Sequence, residues 1–130
     1  MAKLLDANVV IRYLTSDDPK KGRRFELLLT TEKGALILTD VVMAEIVWTL
    51  ESYYRASRQM ISTQLQTLLT ASVIEANRPV LIKALSLYAT ISIDYIDAYL
   101  IAYQEVRDIE FIVSYDRDID KVKTAKRMEP

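Results

Sequence analysis

The chain has no cysteine and no histidine. The first absence excludes disulfides and thiolate metal sites. The second removes the usual zinc ligand and the usual proton carrier near neutral pH. Catalysis in such a chain has to run on carboxylates, hydroxyls, lysine, tyrosine or a bound metal. Glycine and proline are scarce, two and three residues in 130, which argues against a disordered chain. No apolar run approaches the ~18 residues of a membrane span. The first residues lack a signal peptide's long apolar core, so a cytoplasmic protein with no membrane partner is expected. A formal net charge of −1 excludes a general nucleic-acid coat, which would be strongly basic.

What is present is enough apolar material, 51% of residues, for the core of one domain covering residues 1–130. The pattern reads as strands alternating with helices. Strands are expected at 3–5, 35–38, 73–74 and 111–113, with an edge strand near Thr124. Helices are expected from about residue 9 to 14, then over 20–31, 41–55, 57–70, from 77 to a break at 91–94, and on to about 107. This alternation predicts an α/β fold, a short central parallel sheet flanked by helices. If the first strand is central, Asp6 and Asp116 lie at the carboxyl ends of neighbouring strands, where open α/β sheets bind their ligands.

Four acids carry the chemical argument: Asp6, Glu45, Asp97 and Asp116. Asp6 and Asp116 close apolar strands. Glu45 and Asp97 interrupt apolar helical stripes, where desolvating a lone carboxylate costs several kcal/mol. Each has a plainer explanation: Asp6 as a helix N-cap, Glu45 paired with a buried arginine, Asp97 bonded to a helix end, Asp116 an ordinary turn residue. Needing all four plain explanations at once is harder to accept. Converging carboxylates repel one another and raise their own pKa values unless a cation sits among them. With oxygen donors alone, the fitting ions are Mg2+ or Mn2+. Such ions activate water and neutralise charge in phosphoryl displacement.

The motifs LLDANVVIRYL with TSDDP, TDVVMAEIVWTL, IDYIDAYLIA and IVSYDRDI, in that order, resemble those of PIN-domain ribonucleases. The likeness is closest to the VapC-type toxins of toxin–antitoxin pairs. It covers nearly the whole chain and implies a PIN-like three-layer sandwich. It places Asp6, Glu45, Asp97 and Asp116 as catalytic metal ligands, with Asn8, Ser114, Asp94 and Asp118 in support. Ala7 stands where the family often has threonine. The resemblance further implies cleavage of RNA, a homodimer, and silencing by a cognate antitoxin. Arg12, Lys20, Arg23 and Arg24 are candidate RNA contacts. Eight tyrosines, among them Tyr53, Tyr54, Tyr88, Tyr99 and Tyr103, exceed what one small core needs and fit an interface.

Three other readings compete. A haloacid-dehalogenase-like phosphatase needs D-x-D after its first strand, but Asn8 replaces the second acid and no Gly-Thr pair follows. A response-regulator-like module needs an acid pair directly after that strand, whereas Asp17 and Asp18 come a helix later. A PIN scaffold kept only for binding would not need all four acids.

Overall fold

A computed structural model describes all 130 residues, and the chain divides into two compact units, residues 1–77 and 78–130. Secondary structure is mixed α/β with parallel strand pairing throughout, in line with the alternation in the sequence. No helix is long and apolar enough to cross a membrane.

The first unit holds β1 (Lys3–Leu4), α1 (Ala7–Thr15), α2 (Pro19–Thr31), β2 (Leu36–Ile37), α3 (Asp40–Ser52), α4 (Arg58–Leu68) and β3 (Ile74–Glu75). The strands are short, but flanking residues continue the ladder. Leu5 N–H donates to Ile37 O at 2.9 Å and Leu38 N–H to Glu75 O at 2.9 Å. The strand order is β1-β2-β3, with Lys3 opposite Leu36 and Leu36 opposite Ile74. This corrects the expectation that β1 is central. The burial pattern gives the reason: Leu36 and Leu38 of the β2 segment are fully buried, whereas Leu4 of β1 is exposed.

Helices α1 and α2 cross closely at Gly22, where an added Cβ would lie 3.3 Å from Arg12 O. A mid-helix glycine is tolerated there because it lets two backbones approach. Helix α3 turns Met43, Ile46, Val47 and Leu50 to the core. It ends at Ser52, three residues before the expected limit, and Arg55 beyond it is left-handed at φ 55°.

The second unit holds α5 (Arg78–Thr90), α6 (Tyr95–Arg107), β4 (Ile112–Val113), a 3-10 turn (Arg117–Lys121) and β5 (Arg127–Met128). The helix break at residues 91–94 falls where the sequence places it. The edge strand forms at Arg127 rather than near Thr124, parallel to β4. Helices α5 and α6 pack together through Leu81, Ala84, Leu85 and Tyr88 on one side and Ala98, Ile101 and Ala102 on the other. Small alanines on α6 bring the axes close, and the ladder of buried leucines supplies the apolar area.

Gln104, buried on α6, ties this unit together. Its amide donates to Glu110 O at 3.1 Å and Lys126 O at 3.0 Å, and its carbonyl accepts from Lys126 N–H at 3.1 Å. The start of β5 is thereby fixed beside β4. Gln104→Leu keeps the volume but removes three half-buried hydrogen bonds, each worth about 1 kcal/mol net. We expect a loss of roughly 2–4 kcal/mol in urea unfolding; an unchanged midpoint would show that the bonds carry no stability.

Candidate active site

Parallel pairing sends the carboxyl ends of β1 and β2 in the same direction. Asp6 follows the first, and Thr39 follows the second as the N-cap of α3, accepting from Val42 N–H at 3.2 Å. Glu45 lies in the second turn of that helix. Asp6 occupies the N-cap position of α1 with extended backbone, φ −92° and ψ 151°, yet its carboxylate makes no capping hydrogen bond. The plainer reading of Asp6 as a cap therefore fails on its defining bond. Asn8 is exposed in the first turn of α1.

Glu45 does not sit in a buried stripe. It is exposed, and so are Val41 and Trp48 on the same face, at 79% and 66%. The apolar residues that surround it in sequence form an outward face, which is why burial does not follow from their hydrophobicity. No arginine or lysine pairs with it.

The second unit gathers the other acids. Asp94 is the N-cap residue of α6 and, like Asp6, makes no side-chain capping bond. Asp97 follows within the first turn and is buried, with 9% of its surface exposed. Across from it, the segment after β4 is wound by its own side chains. Asp116 N–H donates to Ser114 Oγ at 3.0 Å, and Asp118 N–H donates to Asp116 Oδ1 at 2.9 Å. Lys121 donates to Ser92 O at 2.9 Å and pairs with Asp118 at 3.2 Å, which clips this segment to the turn before α6.

Electrostatics single out one carboxyl. Burial raises the pKa of Asp97 to about 6, with further contributions from the hydrogen bond to Asp116 and the charges of Asp116, Asp94 and Asp118. Asp116 moves the other way, held below its usual value chiefly by the Asp118 N–H and then by the bond with Asp97. The two carboxyls interact directly, and no lysine or arginine is paired with Asp97. No three acids lie at the spacing of a finished cation cage. Two interacting carboxyls are nonetheless the donor chemistry that a hard divalent ion takes up.

The sequence matches the PIN domain family over residues 3–125. The chain belongs to that family. A comparison with curated proteins finds no match. PIN membership makes the chain a nuclease of the metal-dependent hydrolase class, acting on a nucleic-acid substrate. The four acids placed from the motifs fall on the elements expected of them, after β1, in α3, in α6 and after β4.

Two residues that position this PIN domain's acids are not apparent in the sequence. Arg127 pairs with Asp120 at 3.0 Å and Glu129 at 3.0 Å, and donates to Ser114 O at 2.9 Å, so it anchors the backbone that leads to Asp116. Gln104 holds the strand that carries Arg127. Only Gln104 leaves a trace, a polar residue three positions after Ile101 on the buried face of α6.

The raised pKa of Asp97 has a stability consequence. The ordinary value is 3.8 and the folded value about 6, so the native state binds more protons between them. Stability should be greatest below that window and fall as pH rises through it. The lowered acids Glu32, Asp116 and Asp120 work in the opposite sense, adding stability as pH rises towards their ordinary values of 4.5 and 3.8, so the Asp97 effect is read in the upper part of the window. In EDTA, the melting temperature should drop between about pH 4 and pH 6, and Asp97→Asn should flatten that drop. At pH 7.5 the variant should melt at or above the parent; a clear loss there would make Asp97 a scaffold residue.

Proposed function

We propose that this PIN domain, acting as one functional unit over residues 1–130, is a Mg2+- or Mn2+-dependent endoribonuclease and the toxin of a type II toxin–antitoxin pair. The observation that carries the reading is the buried Asp97, set against the carboxyl of Asp116 with no lysine or arginine paired to it. A carboxyl held in that state is destabilising for a scaffold and useful for a metal. Asp6, Glu45, Asp97 and Asp116 would hold the ion, supported by Asn8, Ser114, Asp94 and Asp118. When bound, the ion supplies water activation near neutral pH and neutralises charge on the phosphodiester.

The chain's own residues do the positioning. The Asp118 N–H fixes one oxygen of Asp116. Asp6 and Asp94 keep their oxygens off their helix ends. RNA is favoured over other phosphodiesters by the motif order, and Arg12, Lys20, Arg23 and Arg24 lie on α1 and α2 as its contacts. Purified protein should cut single-stranded RNA with Mg2+ or Mn2+ and stop in EDTA. Asp6→Asn, Glu45→Gln, Asp97→Asn and Asp116→Asn should each lose about a hundredfold or more while staying folded. Undiminished cutting in EDTA would sink the mechanism.

A homodimer and an antitoxin complete the reading, in a cytoplasmic setting. Val41 and Trp48 on α3, and Ile96, Leu100 and Tyr103 on α6, leave apolar surface exposed, of the kind that interfaces cover. Tyr53 is exposed and available to such a contact, whereas Tyr88 is fully buried and belongs to the core instead. Light scattering at tens of micromolar should give twice the chain mass, and expression without a partner should arrest growth. A monomer would remove the first claim, and normal growth the second.

A further inference from the structure

Helices α1 and α2 enclose a groove of about 640 Å3. Arg12, Lys21 and Arg24 form its rim, and no carboxylate lines it. Its floor is apolar, from Val9, Phe25 and Leu28, and Asn8 closes one end. Arg12 and Arg24 take part in no ion pair, and Lys21 reaches Asp18 only at 3.9 Å. The sequence explains the convergence. Asn8 and Arg12 are one helical turn apart on α1, Lys21 and Arg24 three residues apart on α2. The close crossing at Gly22 sets the two faces against each other.

We propose that this groove holds the substrate strand: single-stranded RNA seated by Arg12, Lys21 and Arg24 on its phosphates, with ribose or base edges on Val9 and Leu28. The proposal rests on the nuclease reading and names the surface that delivers the substrate to it. Three observations favour RNA over a protein segment. The rim carries one sign of charge only, complementary to a continuous anion. The groove ends at Asn8, two residues from Asp6, so a strand lying in it leads to the first acid. Finally, Lys20, Lys21, Arg23 and Arg24 crowd the first turns of α2, where the helix dipole disfavours cations. Asp18 caps that helix at 3.2 Å but leaves both groove arginines unpaired. Such an arrangement weakens the helix end and gains something only when an anion arrives. Phe25 is buried and cannot stack, so the groove reads backbone charge and shape rather than base identity.

The test is fluorescence anisotropy of a labelled single-stranded RNA oligonucleotide, in EDTA, over a series of KCl concentrations. Each phosphate contact on a single strand contributes about 0.7 to the slope of log K against log salt. Arg12→Gln, Lys21→Gln and Arg24→Gln should each weaken binding and flatten the slope by about that amount. The triple variant should lose roughly three times as much slope, while Lys33→Gln, exposed and outside the groove, changes it less. Arg12→Lys with Arg24→Lys keeps the charge and should keep the slope, which separates charge from folding. Unchanged affinity and slope in the triple variant would overturn the proposal and leave the groove to a protein segment. Affinity lost with the slope intact would overturn it too, as damage to the fold. If no divalent ion supports cleavage while the salt-dependent binding persists, the hydrolytic reading falls and the groove stands.

Discussion

A carboxyl group removed from water with only another carboxyl for company is the constraint on which the second unit depends. Asp97 gains no lysine or arginine, and its bond to Asp116 exists only while one of the two is protonated. Burial of that kind persists only where the surroundings fix it. Here the surroundings are specific: Gln104 locks β5 beside β4, Arg127 on β5 grips Ser114 O, and Lys121 ties the segment to Ser92. Three unrelated interactions converge on the five residues from Ser114 to Asp118. A loop without such anchors would let Asp116, already exposed, move away from Asp97 and relieve the repulsion.

The helix N-termini show the same division between structure and chemistry. Asp18, Thr39 and Ser57 each accept a hydrogen bond from the first turn of the helix they open. Asp6 and Asp94 stand at equivalent positions with extended backbone and accept none. A capping bond is typically worth about 1 kcal/mol, so two are forgone. The forgone bonds leave carboxylate oxygens free at the start of α1 and α6. The fold thus uses polar caps where it needs stable helices and withholds them at the two acids beside the proposed chemistry.

Much of this was legible in the residues. The helix break at 91–94, the start of α6 and Asp97 as an acid within an apolar helix were legible, but which face of α6 is buried was not, since Ile96, Leu100 and Tyr103 turn outward. The strands were visible as short apolar runs, but their order was not. Which strand is central depends on which side chains find cover, and Leu4 and Leu36 look alike in sequence while differing completely in burial. Glu45 illustrates the opposite failure. Val41 and Trp48 read as core, yet a helix with an apolar outward face gives no periodic signal to separate its two sides. Arg127 was invisible because its partners Asp120, Glu129 and Ser114 O meet only once β5 has paired with β4.

Most charges pair locally, as Asp118 does with Lys121 and Asp120 with Arg127, but a few are left without a partner of opposite sign, and those few relate the structure to its chemistry. Acids collect at the opening of α6 and after β4, and cations at the opening of α2. Each group is neutralised only in part, by Lys121 on Asp118 and by Asp18 near Lys21: Asp97 lacks a cation and Arg24 lacks an anion, although both occur within one small chain of net charge −1. Mutual pairing would have been the more stable arrangement for isolated charges only if desolvation were repaid, which buried pairs often fail to do. Leaving these groups unpaired keeps each available for an external ion of opposite sign. A divalent cation suits the first and a polyanionic strand the second, and a phosphodiester cleaved with metal assistance needs both at once.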